Sequence, residues 1–81
     1  METVIRDIIH KHGNIATPAA EIRAEDDLFG LGLSSFACVQ LMIAVEERFD
    51  IEFPDALMNR ATFQTMAAIE AHVRTLQAVS I

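Results

Sequence analysis

Leu31 to Phe49 reads LGLSSFACVQLMIAVEERF: a glycine, two adjacent serines, then an apolar run that carries no charge until Glu46. With Ser35 at zero on a helical wheel, Leu41, Val45, Cys38, Phe49 and Met42 share an arc from about 240° to 340°, the expected core face of a helix over 35–49. Val39, Ile43 and Phe36 form a second apolar arc at about 40° to 100°, on a side that a small domain ordinarily leaves wet. Two readings of that arc stay open. Either a partner docks on it, or the long loop or short third helix folds over it and makes it core.

The flanking sequence predicts more helix. Val4, Ile5, Ile8 and Ile9 recur at helical spacing, with Glu2, Arg6, Asp7 and Lys11 on the other side, so a first helix is placed at about 2–12 and Gly13 is its stop. Residues 13–34 hold Pro18, Gly30 and Gly32, show no sustained period, and are read as a loop that Leu28, Phe29 and Leu31 pin to the core. A connection that long in a small domain is functional or a sign of misassignment. Beyond Phe53, Pro54 opens a short helix at about 54–59. Thr62 is placed as the cap of a last helix at about 62–76, with a stripe of Phe63, Met66, Ile69, Val73 and Leu76 and a frayed tail from Gln77. The fold class is all-α: three main helices and one short helix around a single core, as one domain over 1–81.

Composition limits the function. A chain of 81 residues buries only ~60% of its unfolded surface, enough for one core and hardly for a deep catalytic pocket. Twelve acidic against six basic residues give a net charge of −6, which repels nucleic-acid phosphates and favours basic partners. A single cysteine cannot form an internal disulfide, and no apolar run reaches the ~18 residues of a membrane span. With no signal-peptide pattern at the N-terminus, the expectation is a cytoplasmic monomer that binds neither nucleic acid nor membrane.

The two serines invite separate roles. The first N–H groups of a helix lack internal partners and, with the helix dipole, seat a phosphate well. Ser34 then caps while Ser35 projects, and Gly32 lets the chain turn tightly beside them. The plainer alternative is that both serines merely cap and solvate a helix start.

The run Leu28-Phe29-Gly30-Leu31-Gly32-Leu33-Ser34-Ser35-Phe36 resembles the phosphopantetheine-attachment motif of acyl and peptidyl carrier proteins, in which Leu-Gly is followed by Asp-Ser-Leu. The likeness extends to helix lengths, the long first loop, EERFDIEFPD after the second helix and ATFQTMAAIEAHV in the last. It implies a four-helix carrier bundle that is not an enzyme. Ser35 would bear 4′-phosphopantetheine, transferred from coenzyme A by a phosphopantetheinyl transferase. Ser34 stands where the family usually has aspartate, which keeps the cap and removes a charge. Ala37 and Gln40 stand where fatty-acid carriers commonly place acids. The wording GLSSFA.VQLM with IEFPD.L.NR is most similar to the small aminoacyl carrier proteins, charged by ligases that resemble truncated aminoacyl-tRNA synthetases. The resemblance therefore implies an aminoacyl or acyl group held as a thioester, an amino acid:carrier protein ligase or other acyl-loading enzyme, and a downstream acceptor enzyme.

The remaining candidates are weaker. Cys38 falls on the core arc and is read as a small buried hydrophobe. His10, His12 and His72 have no carboxylate or cysteine at ligand spacing, and no metal site is expected. Asp26 and Asp27 are either a cation or transferase contact or a solvated loop. Glu46 and Glu47, within the acidic stretch that runs to Asp55, either form a wet face or steer a basic partner beside Ser35. Phe36, Val39, Ile43, Glu46 and Glu47 are thus the candidate partner surface. The competing hypothesis is an unmodified helical interaction module that uses the same apolar patch.

Overall fold

The computed structural model describes residues 2–79. Three α-helices, α1 (Glu2–His12), α2 (Ser35–Phe49) and α3 (Met66–Val79), are joined by segments carrying 3-10 turns at Ala19–Glu21, Asp55–Leu57 and Arg60–Phe63. No strand occurs among the described residues, in keeping with the all-α expectation. Helix α1 packs against both α2 and α3. Ile5, Ile8 and Ile9 of α1, Ala37, Leu41 and Val45 of α2, and Met66, Ile69 and Val73 of α3 share one apolar core.

Local chemistry sets each boundary. Glu2 and Asp7 pair with Arg6 and Lys11 one turn on, on the exposed side of α1. Gly13 donates its N–H to the Ile9 carbonyl, and a Cβ at Gly13 would lie 2.7 Å from that oxygen. The glycine is required by close approach; the left-handed residue that turns the chain away is Asn14, at φ 52°. At the far end of α2, Asp50 is left-handed (φ 53°), and Ile51 N–H reaches back to the Glu46 carbonyl at 3.1 Å, which closes the helix end.

The 13–34 segment is anchored along its length. The Arg6 guanidinium donates to the Ala19 and Ile22 carbonyls, fastening the first half to α1. Ile22, Leu28 and Leu33 are buried, and Leu28 N–H bonds to the Gln64 carbonyl at 2.8 Å. Phe29 and Leu31 are half-buried against the core. Asp26 and Asp27 accept the N–H groups of Arg23 and Phe29 at 2.8 and 3.1 Å, a turn-forming role that neither sequence reading foresaw.

The second half departs from expectation. The short helix placed at 54–59 is a single 3-10 turn at Asp55–Leu57, a second 3-10 turn at Arg60–Phe63 occupies the start predicted for the last helix, and that helix begins at Met66 rather than Thr62. Asn59 decides this: its Oδ1 accepts from both the N–H and the hydroxyl of Thr62, at 3.1 and 3.2 Å, and draws Thr62 into a buried turn. Thr65 caps α3 in its place, accepting the Ala68 N–H at 3.0 Å. Phe63 is buried against Phe53 in an edge-to-face pair with centroids 5.1 Å apart. The tail expected to fray from Gln77 is helical through Val79; positions 80–81 lie outside the described residues.

Candidate functional site: the start of helix α2

Gly32 begins the site. Its φ of +113° is one that side chains rarely adopt, and a Cβ there would meet nothing within 4 Å, so backbone shape and not space demands glycine. Leu33 then plugs into the core and Ser34 takes an extended conformation (φ −83°, ψ 163°). Ser34 Oγ accepts the Ala37 N–H at 3.0 Å, and the Ser34 carbonyl accepts the Cys38 N–H at 2.8 Å. Ser34 is therefore the cap and Ser35 the first residue of the helix, with its side chain exposed.

Ser35 borders an open, mainly apolar groove of about 300 Å³ between the first turns of α2 and the 3-10 segments before α3. Cys38, Val39 and Met42 form its α2 wall, and Met58, Arg60 and Phe63 the facing one. Phe29 also lines it, and the Arg60 guanidinium lies 4.4 Å from the centre of its ring. The facing wall lies in segments without periodicity, and sequence reasoning missed Phe29, Met58 and Arg60 as members of this groove. The width of the apolar arc on α2 was the available signal that a second element faces it.

The placement of α2 corrects two readings. Ala37 is buried at 4% exposure, so the core arc is centred on Ala37, Leu41 and Val45, while Cys38 and Met42 sit half-exposed at the groove. The apolar residue at 37 is a packing requirement, since an acid there would be buried without a partner; only Gln40 of that pair is on the surface. Cys38 is not fully buried, yet burial still pushes its thiol above the ordinary range and keeps it protonated at neutral pH.

The second apolar arc is exposed: Phe36 by 76%, Val39 by 50% and Ile43 by 43%. The 3-10 turns face only Val39 of this arc, across the open groove, and neither they nor the loop bury it. Glu47 is exposed, whereas the Glu46 carboxylate is engaged within the chain, its Oε2 accepting the Phe53 N–H at 2.8 Å. His10 and His12 are exposed and His72 is half-buried. Among the described residues no group of three or more His, Cys, Asp or Glu is disposed to hold a metal ion, and no helix is long and apolar enough to cross a membrane.

Residues 4–73 match the family described as phosphopantetheine attachment site. The aminoacyl carrier protein of Agrobacterium fabrum (strain C58) is 51% identical over 76 residues, 94% of this chain and 92% of that protein. The D-alanyl carrier protein of Lactobacillus helveticus is 37% identical over 54 residues, 65% of this chain and 68% of that protein. In the crystal structure of an engineered Bradyrhizobium japonicum glycine:[carrier protein] ligase complexed with carrier protein from Agrobacterium tumefaciens and AMP, the matching chain has a TM-score of 0.89 and 53% identity, covering 91% of this chain and 99% of that one. A chain from the Bradyrhizobium japonicum ligase complexed with glycylated carrier protein has a TM-score of 0.73 at 26% identity, covering 86% and 93%.

The chain belongs to the phosphopantetheine-attachment family, the carrier proteins. It is a homologue of the aminoacyl carrier proteins: it bears covalent 4′-phosphopantetheine, holds an aminoacyl or acyl group as a thioester for delivery between enzymes, and is not itself catalytic. Family membership sets aside the unmodified interaction module.

Proposed function

We propose that Ser35 is the hydroxyl that carries the prosthetic group, that an amino acid:carrier protein ligase loads the carrier with a small amino acid, and that the ligase docks on Phe36, Val39 and Ile43 with Glu47 at the edge. The observation that carries the reading is the division between the serines: Ser34 Oγ is occupied by the Ala37 N–H, whereas Ser35 projects beside the groove. The surroundings fit the group. Ala37 and Cys38 have spent their N–H groups on Ser34, so the first-turn N–H groups of Ser35 and Phe36 are the ones left to face a phosphodiester. The open groove offers apolar wall to a flexible arm. When bound, the group supplies a thiol on a long tether; the chain supplies an anchoring hydroxyl, a positive helix end and a surface to recognise.

The small-amino-acid cargo rests on the 51% identical aminoacyl carrier protein and on the 53% identical carrier chain solved with a glycine ligase. Gln40 in place of an acid agrees with a dedicated ligase. Glu46 leaves the docking surface in this reading, because its carboxylate is held by Phe53. The need for coenzyme A, the source of the arm, and ATP, the source of the activating energy, supports a cytoplasmic setting, with a phosphopantetheinyl transferase upstream and an acceptor enzyme downstream.

Intact-mass and peptide-mapping spectrometry test the reading after incubation with coenzyme A and a broad-specificity transferase. The wild type and Ser34→Ala gain one phosphopantetheinyl group on residue 35, and Ser35→Ala gains none. A group mapped to Ser34 overturns the assignment. Loading by fatty-acyl ligases, with none by a glycine:[carrier protein] ligase, overturns the cargo.

A further inference from the structure

Arg60 stands out among the six basic residues of a chain that carries twelve acids. Arg6, Lys11 and Arg74 pair with acids one helical turn away, whereas Arg23, Arg48 and Arg60 form no ion pair among the described residues, and of these three Arg60 alone lines the groove that Ser35 borders. Its guanidinium instead rests on the Phe29 ring, at the groove that Ser35 also borders. Stacking uses the face of a guanidinium and leaves its in-plane N–H donors available. A cation on a groove that also reaches a helix N-terminus adds to the positive end of the dipole instead of cancelling it. Such an arrangement gains stability when an anion arrives.

We infer that Arg60, held in place by Phe29, pairs with the phosphodiester of the prosthetic group and so positions the root of the arm along the groove. The inference rests on the proposal that Ser35 is the attachment residue. A phosphodiester there has its free oxygens two bonds from Ser35 Oγ, at the mouth of the same groove. Arg60 would offer a planar fork suited to two such oxygens, and the N–H groups of Ser35 and Phe36, which begin the helix, would be further donors for them. Arg60 is thereby a positioning residue: it fixes the direction in which the arm leaves the protein and takes no part in thioester chemistry.

The test compares apo and phosphopantetheinylated forms of the wild type, Arg60→Gln and Arg60→Lys; residue 60 is exposed, so both variants are expected to fold. In the wild type the Arg60 Nε–H resonance moves on modification. The 31P resonance of the modified protein is displaced in Arg60→Gln and returns part of the way in Arg60→Lys. Modification raises Tm in the wild type by about 3 °C more than in Arg60→Gln at low salt, and about 1 M salt removes that difference. An Nε–H resonance that stays in place, with a 31P resonance insensitive to residue 60, overturns the inference while leaving Ser35 as the attachment site. Peptide mapping that places the group elsewhere overturns both.

Discussion

Glu46 Oε2 accepts the Phe53 N–H at 2.8 Å, and the Glu46 carbonyl accepts the Ile51 N–H at 3.1 Å, so one residue of α2 ties down the chain that leaves the helix. The bonds hold Ile51 and Phe53 in the core and Phe53 against Phe63. An acid that looks like part of a wet surface in the sequence is a structural brace. Glu46→Ala is expected to cost about 1 kcal/mol, the usual net worth of one partly buried hydrogen bond. Glu47→Ala should stay within about 0.5 kcal/mol. Urea unfolding of the two variants checks the contrast, and equal losses would remove the brace.

The approach to Ser35 depends on two neighbours for different reasons. Ser34→Ala removes the side-chain cap and should lose about 1 kcal/mol. Gly32→Ala removes no contact and meets no atom within 4 Å, yet forces a side chain onto a φ of +113°, at about 1–2 kcal/mol. Ser34→Asp, which keeps an accepting oxygen, should retain wild-type stability, whereas no side chain at 32 will. Thermal unfolding of the three variants decides between these mechanisms.

The exposed arc of α2 separates docking from packing. Ile43 is 43% exposed and Leu41, two residues earlier, is fully buried. Ile43→Ser should therefore cost only about 0.5 kcal/mol, and Leu41→Ala about 2–5 kcal/mol. The ligase-charging rate of the modified protein should fall for Ile43→Ser although the fold persists. Unimpaired charging of that variant would take Ile43 out of the docking face.

Cys38 should stay out of the thiol chemistry of the arm. Burial raises its pKa, so at neutral pH it presents less thiolate than an ordinary cysteine, and only the thiolate attacks electrophiles. Alkylation of the unmodified protein by iodoacetamide should be slow at pH 7 and accelerate only as pH rises beyond the usual thiol range; urea should restore the ordinary rate. The same shift makes the folded state hold its proton more tightly than the unfolded one. The contribution is present below the unfolded thiol's pKa and is lost as pH rises through the higher, folded value. Rapid modification of Cys38 at pH 7 would contradict its placement.

Local signals sufficed for much of the molecule. The isoleucines of α1 recur at helical spacing, and the run after Ser35, broken only by Gln40 before Glu46, is long and apolar enough to specify a helix whatever surrounds it. The order Gly32, Ser34, Ser35 is legible because turn geometry and helix capping depend on near neighbours: the acceptor of the Ala37 N–H is three residues away. The acidic charge and the phosphopantetheine motif are likewise properties of the chain. Other features required partners brought from a distance. Ala37 turns inward because α1 and α3 supply a core on that side, moving the buried arc from where a wheel centred on the largest side chains had put it. Thr62 is a fair cap by type, but Asn59 captures it first and Thr65 takes the role. Arg60 reaches Phe29 across 31 positions of sequence, and together with Ser35 they border one groove only after three segments have packed. Hydrophobic periodicity and capping are short-range, so the sequence by itself determined the helices and the serine pair; which side chains meet across segments depends on how the whole core closes, and that tertiary packing alone decided the groove.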